Sequence, residues 1–184
     1  MHPPTHLALS WLAGCRLSTR RDRVLVAWAG LAPDLDGLTL LAGVDAYGRW
    51  HHVLSHGLAA ALVCAALVAM WAHDRVKTAL LALAAFHLHL VCDLLGSGRE
   101  WGIFYLYPLG DFEYFSPVGW SLASWQNMAV TAVALLAIGW QGLTRGRTFV
   151  EAFLPRAADA AVVEVLRRRF ARAFRRPRSA LAPR

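Results

Sequence analysis

Eight ionisable side chains lie in apolar surroundings, where an unpaired imidazole or carboxylate is costly to bury: His6, Asp34, Asp36, His51, His52, His56, His89 and Asp93. His89 and Asp93, in "FHLHLVCDLL", are four residues apart, so a helix would point both from one face. His52 and His56, in "HHVLSHG", share that spacing. His51 and His56 are five apart, which suits a common centre only if His51 precedes the first turn of helix. Pro33 biases the chain before it away from helix. With "PDLD" extended, Asp34 and Asp36 share a face, because the extended period is two. Mixed imidazole and carboxylate donors suit a divalent transition metal, zinc first, with manganese or iron as alternatives and room for more than one ion.

The elements that must position these groups are apolar. The chain is 57% hydrophobic and only 17% charged, against about 25% charged in soluble domains. Five apolar segments stand out: Thr5 to about Leu17, Val24 to about Ala32, about Val53 to Ala72, Val76 to about Leu95, and about Leu122 to Leu143. The last three approach the length that spans about 30 Å of hydrocarbon. The first two are too short to cross alone and read as half-length elements covered by protein. The expected fold is all-α: a polytopic transmembrane helix bundle of about five membrane segments, with a basic amphipathic C-terminal helix. Residues 1–144 form the membrane-embedded domain and residues 145–184 a basic tail.

Charge sets the expected orientation. "RLSTRRDR" joins segments one and two, "HDRVK" joins three and four, and Arg145 and Arg147 follow segment five. The positive-inside rule makes all three cytoplasmic. The other connections hold Arg49 and Arg99 against Asp34, Asp36, Asp45, Glu100, Asp111 and Glu113. The chain is then N-out and C-in, a multi-pass protein of the cell membrane. All eight candidate residues fall at the non-cytoplasmic ends of their segments, although positive charge alone fixed the orientation. That agreement points to a shared metal centre there.

Taken singly, each of these residues has a plainer explanation. A lone membrane histidine is commonly a hydrogen-bonded structural residue, "PDLDG" also suits a turn, and His89 with Asp93 could be a buried ion pair. His87, His73 and His2 read as structural, interfacial and terminal. Cys15, Cys64 and Cys92 are isolated in apolar runs and read as packing residues. The N-terminus has no basic region and does not read as a cleaved signal peptide. The aromatic loop Gly96 to Trp120 reads either as a lid or re-entrant segment, or as an interfacial aromatic belt.

From Arg145 onward there are eleven arginines, against seven in the rest of the chain. Val162, Leu166, Phe170 and Phe174 recur at four-residue steps, with Arg167, Arg168, Arg169, Arg172, Arg175 and Arg176 on other faces. The tail is expected to lie on anionic lipid headgroups, and "RPRSALAPR" to be disordered. No nucleic-acid motif accompanies the charge. From about Glu151 onward there is no candidate ligand, so truncation after Leu143 is expected to leave the centre intact.

The order "TH", "PDLD", "HHVLSHG", "HLVCD", then a glycine-bearing loop and "YPL", resembles the LexA-regulated, membrane-bound metal-dependent hydrolase family over about residues 1–120. The resemblance implies His6, Asp34, His51, His56, His89 and Asp93 as metal ligands, and Asp36 as a further ligand or a base. His52 stands where the family has arginine, Val53 where it has glycine, and Gly57 where it has serine. His52 would replace the arginine as a cation towards an anionic substrate, or itself bind metal, leaving the ligand choice between His51 and His52 open. The order of ligands is loosely similar to that of zinc-dependent phospholipase C.

The expected function is that of a membrane-bound metal-dependent hydrolase, with metal-activated water cleaving a phosphoester of a lipid or lipid-linked substrate. Asp36 would be the base, and Arg49, Arg99 or His52 would hold the phosphate. Two other classes compete: a metal or ion transporter, and a structural membrane protein without catalysis. Transport would need ligands through the full depth of the bundle, and the cytoplasmic halves of segments three to five hold neither acid nor histidine.

Overall fold

A computed structural model describes residues 1–170. Arg172, Phe174, Arg175, Arg176 and the rest of "RPRSALAPR" lie outside the described residues. The helices are α1 (Pro3–Gly14), α2 (Arg20–Ala29), α3 (Val44–Trp50), α4 (Leu58–Trp71), α5 (Arg75–Gly96), α6 (Trp125–Arg145) and α7 (Arg156–Phe170). Two 3₁₀ segments, Ala32–Ala42 and Phe149–Ala152, interrupt them. Among the described residues there is no strand, only an isolated bridge between Ile103 and Tyr114.

The all-helical expectation holds, and two to three candidate spans stand where about five membrane segments were expected. Among the described residues, α5, with 22 residues, and α6, with 21, are long and apolar enough to cross a membrane. A third crossing is available if α2 and the 3₁₀ segment Ala32–Ala42, bent by 52° at their junction, act as one broken span. The apolar run from Val53 yields only 14 residues of helix in α4, a rise of about 21 Å against the ~30 Å required. Residues 53–57 lie in turns before the helix, where His56 is anchored by Asp36, and Leu58, the first residue of α4, donates its N–H to the Tyr105 carbonyl at 2.8 Å.

Two local expectations also change. "PDLD" is wound as 3₁₀ helix, not extended. Proline is tolerated in a first helical turn, where its missing N–H has no intrahelical acceptor to lose. Thr39 Oγ1 then donates to the Asp36 carbonyl at 2.6 Å. "HHVLSHG" is a series of turns rather than helix. His51 closes α3, His52 takes a left-handed φ of 69°, and His56 precedes α4. His52 and His56 therefore do not share a helical face.

The core forms where α1, α2, α5 and α6 meet. Trp11, Leu7 and Ala8 of α1 pack with Ala27, Ala134 and Ile138. At the arginine end of the bundle, Arg23 Nε and Nη2 donate to the two oxygens of Glu151 at 2.5 and 2.7 Å, and Trp11 Nε1 donates to Glu151 at 2.9 Å. Trp28 Nε1 reaches the Ala152 carbonyl at 2.8 Å. Asp159 accepts from the backbone and hydroxyl of Thr148 at 2.9 and 2.5 Å. The first part of the tail is thus built into the bundle. In α7, Val163 is buried, while Val162 and Phe170 of the apolar row are exposed.

Candidate metal centre

Four chain segments converge at the end of the bundle away from the Arg23–Glu151 pair. α1 brings His6, the 3₁₀ segment brings Asp34 and Asp36, the turns before α4 bring His51, His52 and His56, and α5 brings His89 and Asp93. Asp34, His56, His89 and Asp93 place one ligand atom each within 4.8 Å of one another, as do Asp36, His51 and His56. His6 and His52 belong to neither group but both face Asp93, His6 Nε2 at 3.1 Å from Oδ1 and His52 Nε2 at 3.7 Å from Oδ2. All eight candidate residues are therefore brought together.

The second nitrogen of each ring explains the arrangement. His89 Nδ1 donates to the Gly30 carbonyl at 2.7 Å. A carbonyl only accepts, so Nδ1 carries the proton and the neutral ring turns its Nε2 lone pair inward. That Nε2 is buried, lies 2.9 Å from Asp93 Oδ2 and has no hydrogen-bond partner. His52 repeats the pattern, with Nδ1 on the Gly102 carbonyl at 3.2 Å. Asp36 holds two more rings, accepting from His51 Nδ1 at 2.7 Å and from His56 Nδ1 at 2.9 Å. His56 Nε2 is likewise buried without a partner, 3.5 Å from Asp93 Oδ2. Three Nε2 atoms thus face one carboxylate oxygen. Such second-ring hydrogen bonds accompany histidines that bind metal, and the unpartnered nitrogens, with Asp34 Oδ2 also unpartnered, fit a small cation between them.

Asp93 Oδ1 is surrounded too. It accepts from the Met1 amino group and from Ser97 Oγ at 3.1 Å. His6 and His89 stack with centroids 3.7 Å apart. Burial pushes the His52 imidazole down to about 3, with His56 adding to the effect. The inward Nε2 of this buried ring is oriented as a metal ligand's would be. Burial opposes charge on His56 as well, but hydrogen bonds to Asp36 and Asp93 outweigh it and raise the imidazole to about 9. That ring pairs with both carboxylates as an imidazolium, and a metal at Nε2 would take the place of its second proton.

A cavity of about 400 Å³ opens on the group, its wall including Asp34, Asp93, His51, His52, Tyr47 and Trp101. Tyr47 stacks on His51 at 4.5 Å. Burial and the carboxylates of Asp34, Asp36 and Asp93 raise its phenol, which stays a donor. No lysine or arginine of the described residues lines this cavity. Arg49 lines a neighbouring one with His51 and Trp101, and Arg99 Nε is engaged by the Gly119 carbonyl at 3.1 Å.

The aromatic loop is part of the site. Besides Trp101 and the Gly102 carbonyl, its Phe104 N–H donates to the His52 carbonyl at 3.2 Å. A Cβ at Gly57 would stand 2.9 Å from the Tyr105 carbonyl, so the glycine there permits the loop's close approach. Sequence reasoning missed Tyr47, Ser55 and the Gly30 and Gly102 carbonyls. Ser55 Oγ accepts the Asp36 N–H at 3.0 Å and donates to the Pro33 carbonyl at 2.5 Å. Its place beside His56 was the one available signal; backbone carbonyls leave none.

A family model described as YdjM inner membrane protein matches residues 1–168. The chain belongs to the YdjM inner membrane protein family. The match covers all four site segments and continues through most of α7, well past the residues that carry the motif resemblance. It supplies a membrane and no reaction. Neither the curated proteins nor the solved structures contain a match.

Proposed function

We propose that this protein is a membrane-bound metal-dependent hydrolase acting on a phosphoester of a lipid or lipid-linked molecule. The observation that carries the reading is the set of inward Nε2 atoms around Asp93, two of them buried and unpartnered. Asp34, His56, His89 and Asp93 would hold the ion, with His6 and His52 facing the same carboxylate. A divalent transition metal bound there supplies Lewis acidity and lowers the pKa of water to about 7.

The chain's own groups do the rest. Asp36 fixes the His51 and His56 rings, and its engaged oxygens suit orientation better than the base role expected from sequence. His51, its Nδ1 held by Asp36, keeps Nε2 to accept a proton at the cavity wall, an imidazole–carboxylate arrangement that serves general base catalysis. Tyr47 can donate to a leaving oxygen. Arg49, which lines the neighbouring cavity with His51 and Trp101, would meet a phosphate. Trp101 and the loop behind it restrict water. A bilayer setting favours substrates that arrive laterally, and zinc is the first choice among metals for this donor set.

We place the centre at the non-cytoplasmic face on the arginine bias of the connections. In a cysteine-free background, Gly110→Cys should react with an impermeant thiol reagent added outside and Arg147→Cys should not; the opposite pattern reverses the orientation. Activity is tested with metal-loaded protein on a panel of phospholipids and soluble phosphodiesters. Turnover that disappears in His51→Ala supports the reading. A metal-loaded wild type inert on the whole panel overturns the phosphoester assignment.

A further inference from the structure

At the arginine end, the α1–α2 turn, the end of α6 and the start of α7 enclose a second cavity of about 570 Å³. Six arginines line it against two acids, Glu151 and Asp159, and neither acid is free to balance them. Glu151 is taken by Arg23 and Trp11, and Asp159 by Thr148. Arg23 is itself fully engaged, with its Nη1 on the Leu17 and Ser18 carbonyls at 2.9 and 3.1 Å. The other five carry the excess charge: Arg21, Arg145 and Arg156 are exposed, Arg20 and Arg147 half-buried, and Arg20 Nη2 donates to the Glu151 and Leu154 carbonyls at 2.6 and 2.9 Å. Arg147 Nε and Arg20 Nε are buried without a hydrogen-bond partner. Burial and the neighbouring Arg23 both weaken Arg147's hold on its proton.

A guanidinium taken from water without an anion is unfavourable, and its planar fork matches a phosphate with two parallel bonds. Arg145 ends the α6 span and Arg20 begins α2, so the cavity sits at the depth where apolar helix gives way to headgroups. We propose that this cavity is a discrete phosphate-binding site, distinct from the metal centre and from diffuse attraction along the tail. Its ligand is a terminal phosphate group, supplied as the phosphomonoester of a lipid headgroup or as free inorganic phosphate. It needs no activity at the other end of the bundle.

The test uses the full chain in phosphatidylcholine bilayers, titrated in separate arms with phosphatidic acid in the bilayer and inorganic phosphate in solution. The readouts are ligand retained per protein and thermal stabilisation. Saturable binding of one equivalent is expected. Phosphatidic acid alone marks a headgroup site; inorganic phosphate with the same saturation marks a free-phosphate site. Arg147→Gln should weaken binding on the order of tenfold. Arg156→Gln, at an exposed position, should weaken it without touching the core and keeps the test open if Arg147→Gln does not fold. Arg168→Gln with Arg169→Gln, outside the cavity lining, should leave binding unchanged. Non-saturable uptake, or a loss that follows Arg168 and Arg169 rather than Arg147 and Arg156, overturns the site.

Discussion

The two ends of this bundle each bury a charged network, and they differ in how completely it closes. Around Glu151, both carboxylate oxygens meet guanidinium N–H groups of Arg23, Trp11 adds a third donor, and the remaining Arg23 nitrogen finds two carbonyls. Around Asp93, by contrast, His56 and His89 turn in nitrogens that no hydrogen bond satisfies. A closed network needs only the protein to be stable. An open one, with His51, His52, His56 and His89 each fixed through Nδ1, fits a group the chain does not itself contain. The Arg23–Glu151 pair thus reads as scaffold, and the histidine–aspartate network as a group of side chains that could hold a metal.

That contrast can be broken most severely at Glu151. Glu151→Ala leaves Arg23 buried without its carboxylate, and removing one partner of a buried pair costs about 3–5 kcal/mol. Thermal unfolding in detergent should show that loss, while metal per folded molecule stays at the wild-type value. Wild-type stability would mean the arginine end is not held by this pair. Truncation after Leu143 removes Glu151 as well, so the tail is not dispensable for folding as its lack of ligands alone would suggest. The truncated chain should unfold at least as readily as Glu151→Ala.

Asp36→Asn sharpens the other side. The change keeps size but weakens the acceptor that fixes His51 and His56, and loss of such an outer partner costs about 10–100-fold in metal affinity. Competition with a graded chelator measures it; unchanged affinity would show that Asp36 does not orient the rings. The smallest effect belongs to Arg168. Its bond to Glu164 at 2.7 Å is exposed on both sides, so Arg168→Ala should change stability by no more than about 0.5 kcal/mol. A larger loss would mean α7 contributes more to the fold than its exposed face implies.

Much of the site was legible because spacing and chemistry agreed. His89 and Asp93 sit on a regular helix, and their four-residue interval fixed their common face before any coordinates. The gathering of His6, Asp34, Asp36 and the histidine triplet followed from which ends of apolar segments they occupy. The conformations of "PDLD" and "HHVLSHG" were less accessible, since 3₁₀ helix and turns carry no strong period and are chosen by tertiary bonds such as Ser55 with Asp36. The length of α4 was hidden for a related reason. Apolar composition from Val53 onward could not reveal that residues 53–57 lie in turns, with His56 held by Asp36. Glu151 escaped notice because one acid among arginines reads as surface, and only the fold brings Arg23 and Trp11 to it.

Elemental analysis of purified protein asks directly whether the imidazoles around Asp93 enclose a metal ion. Wild type, His89→Ala and Glu151→Ala should be compared at equal folded concentration. At least one equivalent of a transition metal is expected in the wild type, with loss in His89→Ala and retention in Glu151→Ala. A metal-free wild type that takes up no added zinc, manganese or iron, or full retention in His89→Ala, would contradict that expectation.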